Sequence, residues 1–188
     1  MQNPMTRYVI NVVVQDRVGI IADIAEALYR LGGNLEALSQ TVVWGWFTMI
    51  VCGVFPEEVT ADQIKEGIEK NVGFYATVLP HTALHPGSVI AGDPFVVTVI
   101  GKDRPGIVSA LTRCFAEREI NIEDVWNEVQ EGQFIVIFKL TVPKRVDPKE
   151  LRYELDGLAG KLAVQVRLQH QDVFTATNSL SVHTHRHR

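Results

Sequence analysis

The sequence predicts an α+β fold made of two ferredoxin-like β-α-β-β-α-β units, each an antiparallel four-stranded sheet with both helices on one face. Three observations carry this. The chain repeats itself without a gap at a spacing of 87 residues, so that Asp16-Arg17-Val18-Gly19-Ile20 and Asn34-Leu35-Glu36 return as Asp103-Arg104-Pro105-Gly106-Ile107 and Asn121-Ile122-Glu123. The register holds further on, pairing Gly45 with Gly132, Phe47 with Phe134, Pro56 with Pro143 and Val59 with Val146. A repeat of this length suits a small domain rather than a solenoid unit. Within each copy the apolar period also switches between strand and helix spacing, and helix-start and turn residues fall at matching places in the two copies.

The elements follow in order. Tyr8 to Val14 is an apolar, β-branched run that stops at the polar Gln15-Asp16-Arg17. From Gly19, residues Ile20, Ile21, Ile24, Ala25, Leu28 and Leu31 recur at helical spacing, and Gly32-Gly33 supplies a left-handed stop. Strands are expected over Leu35 to Val43 and Phe47 to Phe55, with Gly45 at the hairpin. Thr60-Ala-Asp-Gln63 has the form of a capping box that opens a second helix through about Lys70. The second copy rewrites that cap as Asp147-Pro148-Lys-Glu150. A last strand is expected near Phe74 to Leu79, and near Leu162 to Leu168 in the second copy.

Domain boundaries follow from this: a first domain over 7–79, a linker over 80–92 rich in Pro and Gly, a second domain over 93–170, and a polar, mobile tail over 171–188. Each sheet leaves one face uncovered, so the units are expected to pack against each other or against another chain.

With 188 residues and 46% hydrophobic content, the chain can fill two small cores. No stretch of about eighteen apolar residues is present, and the first eight residues are too short and polar for a signal segment, so a cytoplasmic protein without membrane contact is expected. Cys52 and Cys114 occupy non-equivalent positions and read as reduced thiols rather than a disulfide or metal pair. A net charge of −4 disfavours direct nucleic-acid binding, which needs clustered cations. The halves differ: residues 1–94 hold five Lys/Arg against ten Asp/Glu, and residues 95–188 hold thirteen against twelve.

The sharpest local signal is Asp-Arg-x-Gly-Ile at the turn from first strand to first helix. Gly19 and Gly106 would let a ligand approach the first amides of the helix, where unsatisfied N–H groups and the helix dipole attract a carboxylate. Asp16 or Asp103 beside them could hold an ammonium group, and together these features suit a free amino acid. The blander reading is that the glycine only permits a tight turn and the Asp caps the helix. Asn34 and Asn121, entering the second strand, are either turn formers or an amide completing a zwitterion site. Trp44 and Trp46 flank Gly45 and read as hairpin packing or an exposed contact patch, with packing preferred.

Other chemistry is weakly supported. The six histidines, His81, His85, His170, His183, His185 and His187, fall in the linker, at the end of the last strand or in the tail, so no nucleophile has an evident histidine base and no enzyme is expected. The alternating histidines of the tail could take up a metal but read as incidental, and no metal or other cofactor is expected.

The order of strand, Asp-Arg-Pro-Gly-Ile, amphipathic helix, Ile-Asn-Ile-Glu-Asp and hairpin resembles the ACT domain, a ferredoxin-like regulatory module, over Arg7 to Leu79 and Asp93 to Gln169. Paired ACT domains with no attached enzyme resemble ACT-only regulators such as the glycine cleavage system transcriptional repressors. The resemblance implies ligand contacts from Asp103, Arg104, Pro105, Gly106, Ile107 and Asn121, and from Asp16, Arg17, Gly19, Ile20 and Asn34, at an interface between two domains. The chain departs from the pattern in having Asp at 16 and 103, where amino-acid-binding members often have Asn, and Val18 in place of Pro; the second copy is therefore the better candidate. The function so implied is a non-enzymatic, amino-acid-binding, allosteric regulator, dimeric or otherwise oligomeric. With no helix-turn-helix in view, any effect on transcription would run through a partner protein. The alternative is a ligand-free interaction and dimerisation module.

Overall fold

The computed structural model describes residues 4–72, 74–81, 91–130 and 132–178, and the chain divides into two compact units, residues 1–87 and 88–188. The first contains β1 (Met5–Gln15), α1 (Ile20–Arg30), β2 (Asn34–Val43), β3 (Trp46–Pro56), α2 (Ala61–Val72) and β4 (Tyr75–Pro80). Its sheet has the order β2-β3-β1-β4, antiparallel throughout.

Alternation along the central strands decides which face is dry. Tyr8, Ile10 and Val12 of β1 and Phe47, Met49, Val51 and Phe55 of β3 are buried against Ile20, Ile24 and Leu28 of α1 and Ile64 and Ile68 of α2. Each fully buried Ile, Leu or Phe contributes about 1.5–3 kcal/mol. The capping box forms as the residues require: the Thr60 N–H donates to Gln63 Oε1 at 2.8 Å, and the Gln63 N–H donates to Thr60 Oγ1 at 3.3 Å. At the β2–β3 hairpin both Trp44 and Gly45 have positive φ, 51° and 77°, the pairing that two-residue hairpins favour. Trp44 does not pack; it is 98% exposed.

The second unit contains β5 (Gly92–Gly101), α3 (Ile107–Glu117), β6 (Asn121–Gln130), β7 (Gln133–Pro143), α4 (Pro148–Leu162), β8 (Val164–His170) and α5 (Gln171–Asn178). Its sheet order, β6-β7-β5-β8, repeats the first. The core joins Val97, Val99, Phe138 and Leu140 to Leu111 and Phe115 of α3 and Leu151 and Leu155 of α4. Asp147 caps α4 by accepting from the Lys149 N–H at 2.8 Å, ahead of Pro148.

Two boundaries need correction. Leu162 ends α4 instead of opening the last strand, because Ala163 takes a left-handed φ of 52° and the strand starts at Val164. Residues 171–178, expected as mobile tail, form helix α5 against β5 and β8. The remaining tail, 179–188 with its three histidines, and residues 82–90 of the expected linker lie outside the described residues.

The sheet faces turned away from the helices differ between the units. On the first, strand alternation places Val9, Val13, Trp46, Ile50, Cys52, Tyr75 and Leu79 outward, with the polar Asn11, Thr48 and Thr77 among them and Arg7, paired with Glu36, at one end. On the second, the equivalent face carries Asp124, Glu128, Lys139 and Arg167, and α5 lies over part of it.

Candidate functional site

In both units the first strand runs into a glycine that serves as N-cap of the next helix. Gly19 has φ 90° and ψ −2°, and Gly106 has φ 96° and ψ −13°. This left-handed geometry strains any residue bearing a Cβ. The first helical bonds run from the Asp23 N–H to the Gly19 carbonyl at 3.0 Å and from the Ala110 N–H to the Gly106 carbonyl at 2.9 Å. No side chain caps either helix. Asp16 and Asp103 therefore do not cap, contrary to the blander expectation, and the first-turn amides of α1 and α3 keep their donor capacity.

The two turns differ in what surrounds those amides. Around Gly19, Arg17 folds back: its Nη1 donates to the Val18 carbonyl at 3.1 Å and its Nη2 to Asp23 Oδ2 at 2.6 Å, while the guanidinium lies 5.6 Å from the Phe74 ring centre. The Asp16 N–H donates to the Gly45 carbonyl at 2.8 Å, fastening this turn to the Trp44–Gly45 hairpin. In the second unit Asp23 is replaced by Ala110. Asp103 and Arg104 are exposed and their side chains make no hydrogen bond or ion pair among the described residues. A Cβ at Gly106 would meet nothing within 4 Å, so the space above that turn is open.

Ile20 and Ile107 are almost fully buried. Their side chains anchor the helix starts in the cores, which leaves only their backbone N–H groups for a ligand. Val18 and Pro105 stand outward at the turns.

The asparagines lie elsewhere. Asn34 opens β2 opposite Val54, which pairs with Arg7 near the start of β1, whereas Gly19 follows the end of β1. Asn121 sits opposite Thr141, which pairs with Pro94, and Gly101 lies seven residues further along β5. At about 3.3 Å per residue this is more than 20 Å. Within one unit the asparagine and the glycine turn do not share a site.

Sequence reasoning passed over Glu36 and Glu123, which occupy repeat-equivalent bulges in β2 and β6. Arg7 grips Glu36 in two bonds, Nε to Oε2 at 2.9 Å and Nη2 to Oε1 at 3.1 Å. That hydrogen-bonded pairing holds the Glu36 carboxyl below its usual range. Glu123 instead accepts from Thr141 Oγ1 and lies 3.3 Å from Lys139 Nζ, and hydrogen bonds from both hold its carboxyl low. The repeat showed both glutamates, but nothing in it marked a bulge.

Two stretches of the chain, residues 8–66 and 93–169, match models of the ACT domain. The chain belongs to the ACT-domain family. A UPF0237 protein of Methanosarcina acetivorans is 37% identical over 81 residues, covering 43% of this chain and 88% of that protein. A UPF0237 protein of Methanopyrus kandleri is 40% identical over 82 residues, covering 43% of this chain and 91% of its own. Two solved structures resemble this chain over most of its length. An unknown protein from Galdieria sulphuraria superposes with a TM-score of 0.73 at 23% identity, over 89% of this chain and 99% of that one. A protein described as a glycine cleavage system transcriptional repressor gives 0.63 at 20% identity, over 88% and 96%. At these identities the likeness is one of fold. Among the described residues no helix of this ACT-domain protein is long and apolar enough to cross a membrane.

Proposed function

We propose that this protein is a non-enzymatic, cytoplasmic regulator that binds a free amino acid at the Gly106 turn. The observation that carries the reading is the uncapped, open start of α3 beside two side chains without partners, Asp103 and Arg104. The first-turn amides from Ile107 onward take the ligand carboxylate, Arg104 adds a positive charge to them, and Asp103 takes the ammonium. At Gly19 the guanidinium of Arg17 is already engaged by Asp23, so that turn ranks second. Asn121 cannot reach the same ligand from its own unit. Its contribution requires a second copy of the chain, which couples ligand binding to self-association.

Such coupling is typically about 1–3 kcal/mol, enough to change affinity for a partner protein between about fivefold and 150-fold. An effect on transcription would pass through that partner. Calorimetry across the common amino acids tests the reading: at least one should bind saturably, and Asp103→Ala together with Arg104→Ala should weaken it by about tenfold or more. Absence of saturable binding, or binding indifferent to the double variant, refutes it.

A second reading has its own support in the exposed apolar residues Trp46, Ile50, Tyr75 and Leu79 on the outer face of the first sheet, where the paired Arg7 and Glu36 stand at one end. An apolar face of that kind suits a ligand-free module used for dimerisation or docking. Sedimentation separates the two, since an oligomer indifferent to every amino acid favours the second.

A further inference from the structure

The second unit holds a cleft remote from both glycine turns. Strands β5, β7 and β8 form its floor on the face away from α3 and α4, and α5 forms one wall. Its volume is about 550 Å³, within the range of about 300–1,000 Å³ usual for small-molecule sites. Gln165, Arg167 and Gln169 alternate along β8 and so point to this one face, with Thr98 directly opposite Arg167 on β5. Ile100, Ile137 and Phe174 supply the apolar surface.

The charge of the lining is what selects a ligand. Arg167 is the single charged residue that lines the cleft, and its guanidinium has no hydrogen bond or ion pair among the described residues. The nearby amides and the Thr98 hydroxyl are neutral donors and acceptors. Among the described residues no carboxylate lines the cleft, so an ammonium group would have no counter-charge there. The first unit has no equivalent arginine: the residue laddered at the position of Arg167 is Thr77, opposite Asn11.

We propose that this cleft binds a small monocarboxylate with an aromatic or branched apolar body. The carboxylate pairs with the Arg167 guanidinium in the planar, forked geometry that arginine offers. The apolar end lies on Ile100 and Ile137 against the Phe174 ring. The preference for an acid lacking an ammonium separates this site from the amino-acid site proposed at Gly106, and neither depends on the other.

Equilibrium dialysis of the full chain against radiolabelled phenylacetate and 4-methylpentanoate measures binding directly. One equivalent per chain is expected to bind. As competitors that displace the labelled acid, phenylalanine and the neutral 2-phenylethanol should be about tenfold weaker or worse. Arg167→Gln should weaken the acid by a similar factor, with Arg167→Lys recovering part of it. A second readout is local: Trp126 sits opposite Ile137 on the same face, and in a Trp44→Phe, Trp46→Phe background it is the only tryptophan of the three in the chain. Its emission should change with the same midpoint. The proposal is overturned if neither acid binds saturably below about 10 mM, or if Arg167→Gln binds as the parent does.

Discussion

Gly106 and Asn121, both marked by the repeat, lie at opposite ends of one sheet: the glycine follows the end of β5, and the asparagine is laddered through Thr141 to Pro94 at its start. The helix between them explains this, because α3 carries the chain back along the length of the sheet. A ligand that touches both residues must draw them from two molecules. Amino-acid binding should therefore depend on protein concentration, and Asn121→Ala should weaken self-association in the ligand's presence more than in its absence. Sedimentation at several concentrations, with and without the bound amino acid, checks this; identical behaviour of parent and variant would remove Asn121 from the site.

Gly106→Ala should destabilise the second unit by about 1–2 kcal/mol, the cost of a left-handed L-residue. Nothing lies within 4 Å of the added methyl, so the penalty is conformational and not steric. Gly33→Ala should behave differently: its Cβ would fall 2.3 Å from a ring carbon of the fully buried Phe55. Overpacking of that kind costs about 1–3 kcal/mol. By contrast, Gly157→Ala in the interior of α4 meets nothing within 4 Å and should stabilise by about 0.5–1 kcal/mol. Chemical denaturation of the three variants ranks them.

The Glu36 carboxyl should titrate below the ordinary glutamate range, chiefly through its hydrogen bonds from Arg7. Because the folded-state value is depressed, the pair's contribution to stability is present above the unfolded-state value and is lost as the pH falls through the folded one. A carbon-13 titration of the side-chain carboxyl should show the low midpoint, and Arg7→Gln should raise it. An unchanged midpoint in the variant would contradict the assignment.

Cys114 should resist alkylation. Burial, with the nearby Glu154 carboxylate, pushes its thiol up to about 11, so at pH 8 only about one molecule in a thousand carries the thiolate. Cys52, half-buried on the outer face of the first sheet, should react first with iodoacetamide. Peptide mapping after partial alkylation reads the order.

The strands, the four main helices and the caps of α2 and α4 were legible because short-range physics writes them: alternation along β1 and β3, the helical stripe from Ile20 to Leu28, and the Thr60 and Asp147 caps all appear in the sequence. Helix α5 was not, since its eight residues carry little apolar periodicity and rest on tertiary contact with β5 and β8. The glycine turns could be read from residue type, and their left-handed geometry follows. What separated Arg17 from Arg104 was a partner six residues away, Asp23 against Ala110, whose meaning depends on how the arginine folds back. The separation of turn and asparagine depends on strand direction, which spacing along the chain does not encode.

The central claim is that the first-turn amides of α3 receive an amino-acid carboxylate, and an amide nitrogen–proton NMR titration observes those groups themselves. The account predicts that the amino acid found by calorimetry shifts the Gly106, Ile107, Val108 and Ser109 signals saturably, with the same midpoint as the heat, and that Asp103→Ala with Arg104→Ala moves that midpoint up. If those four signals stay fixed while the amino acid binds, or if no amino acid shifts any signal, the Gly106 turn is not the site.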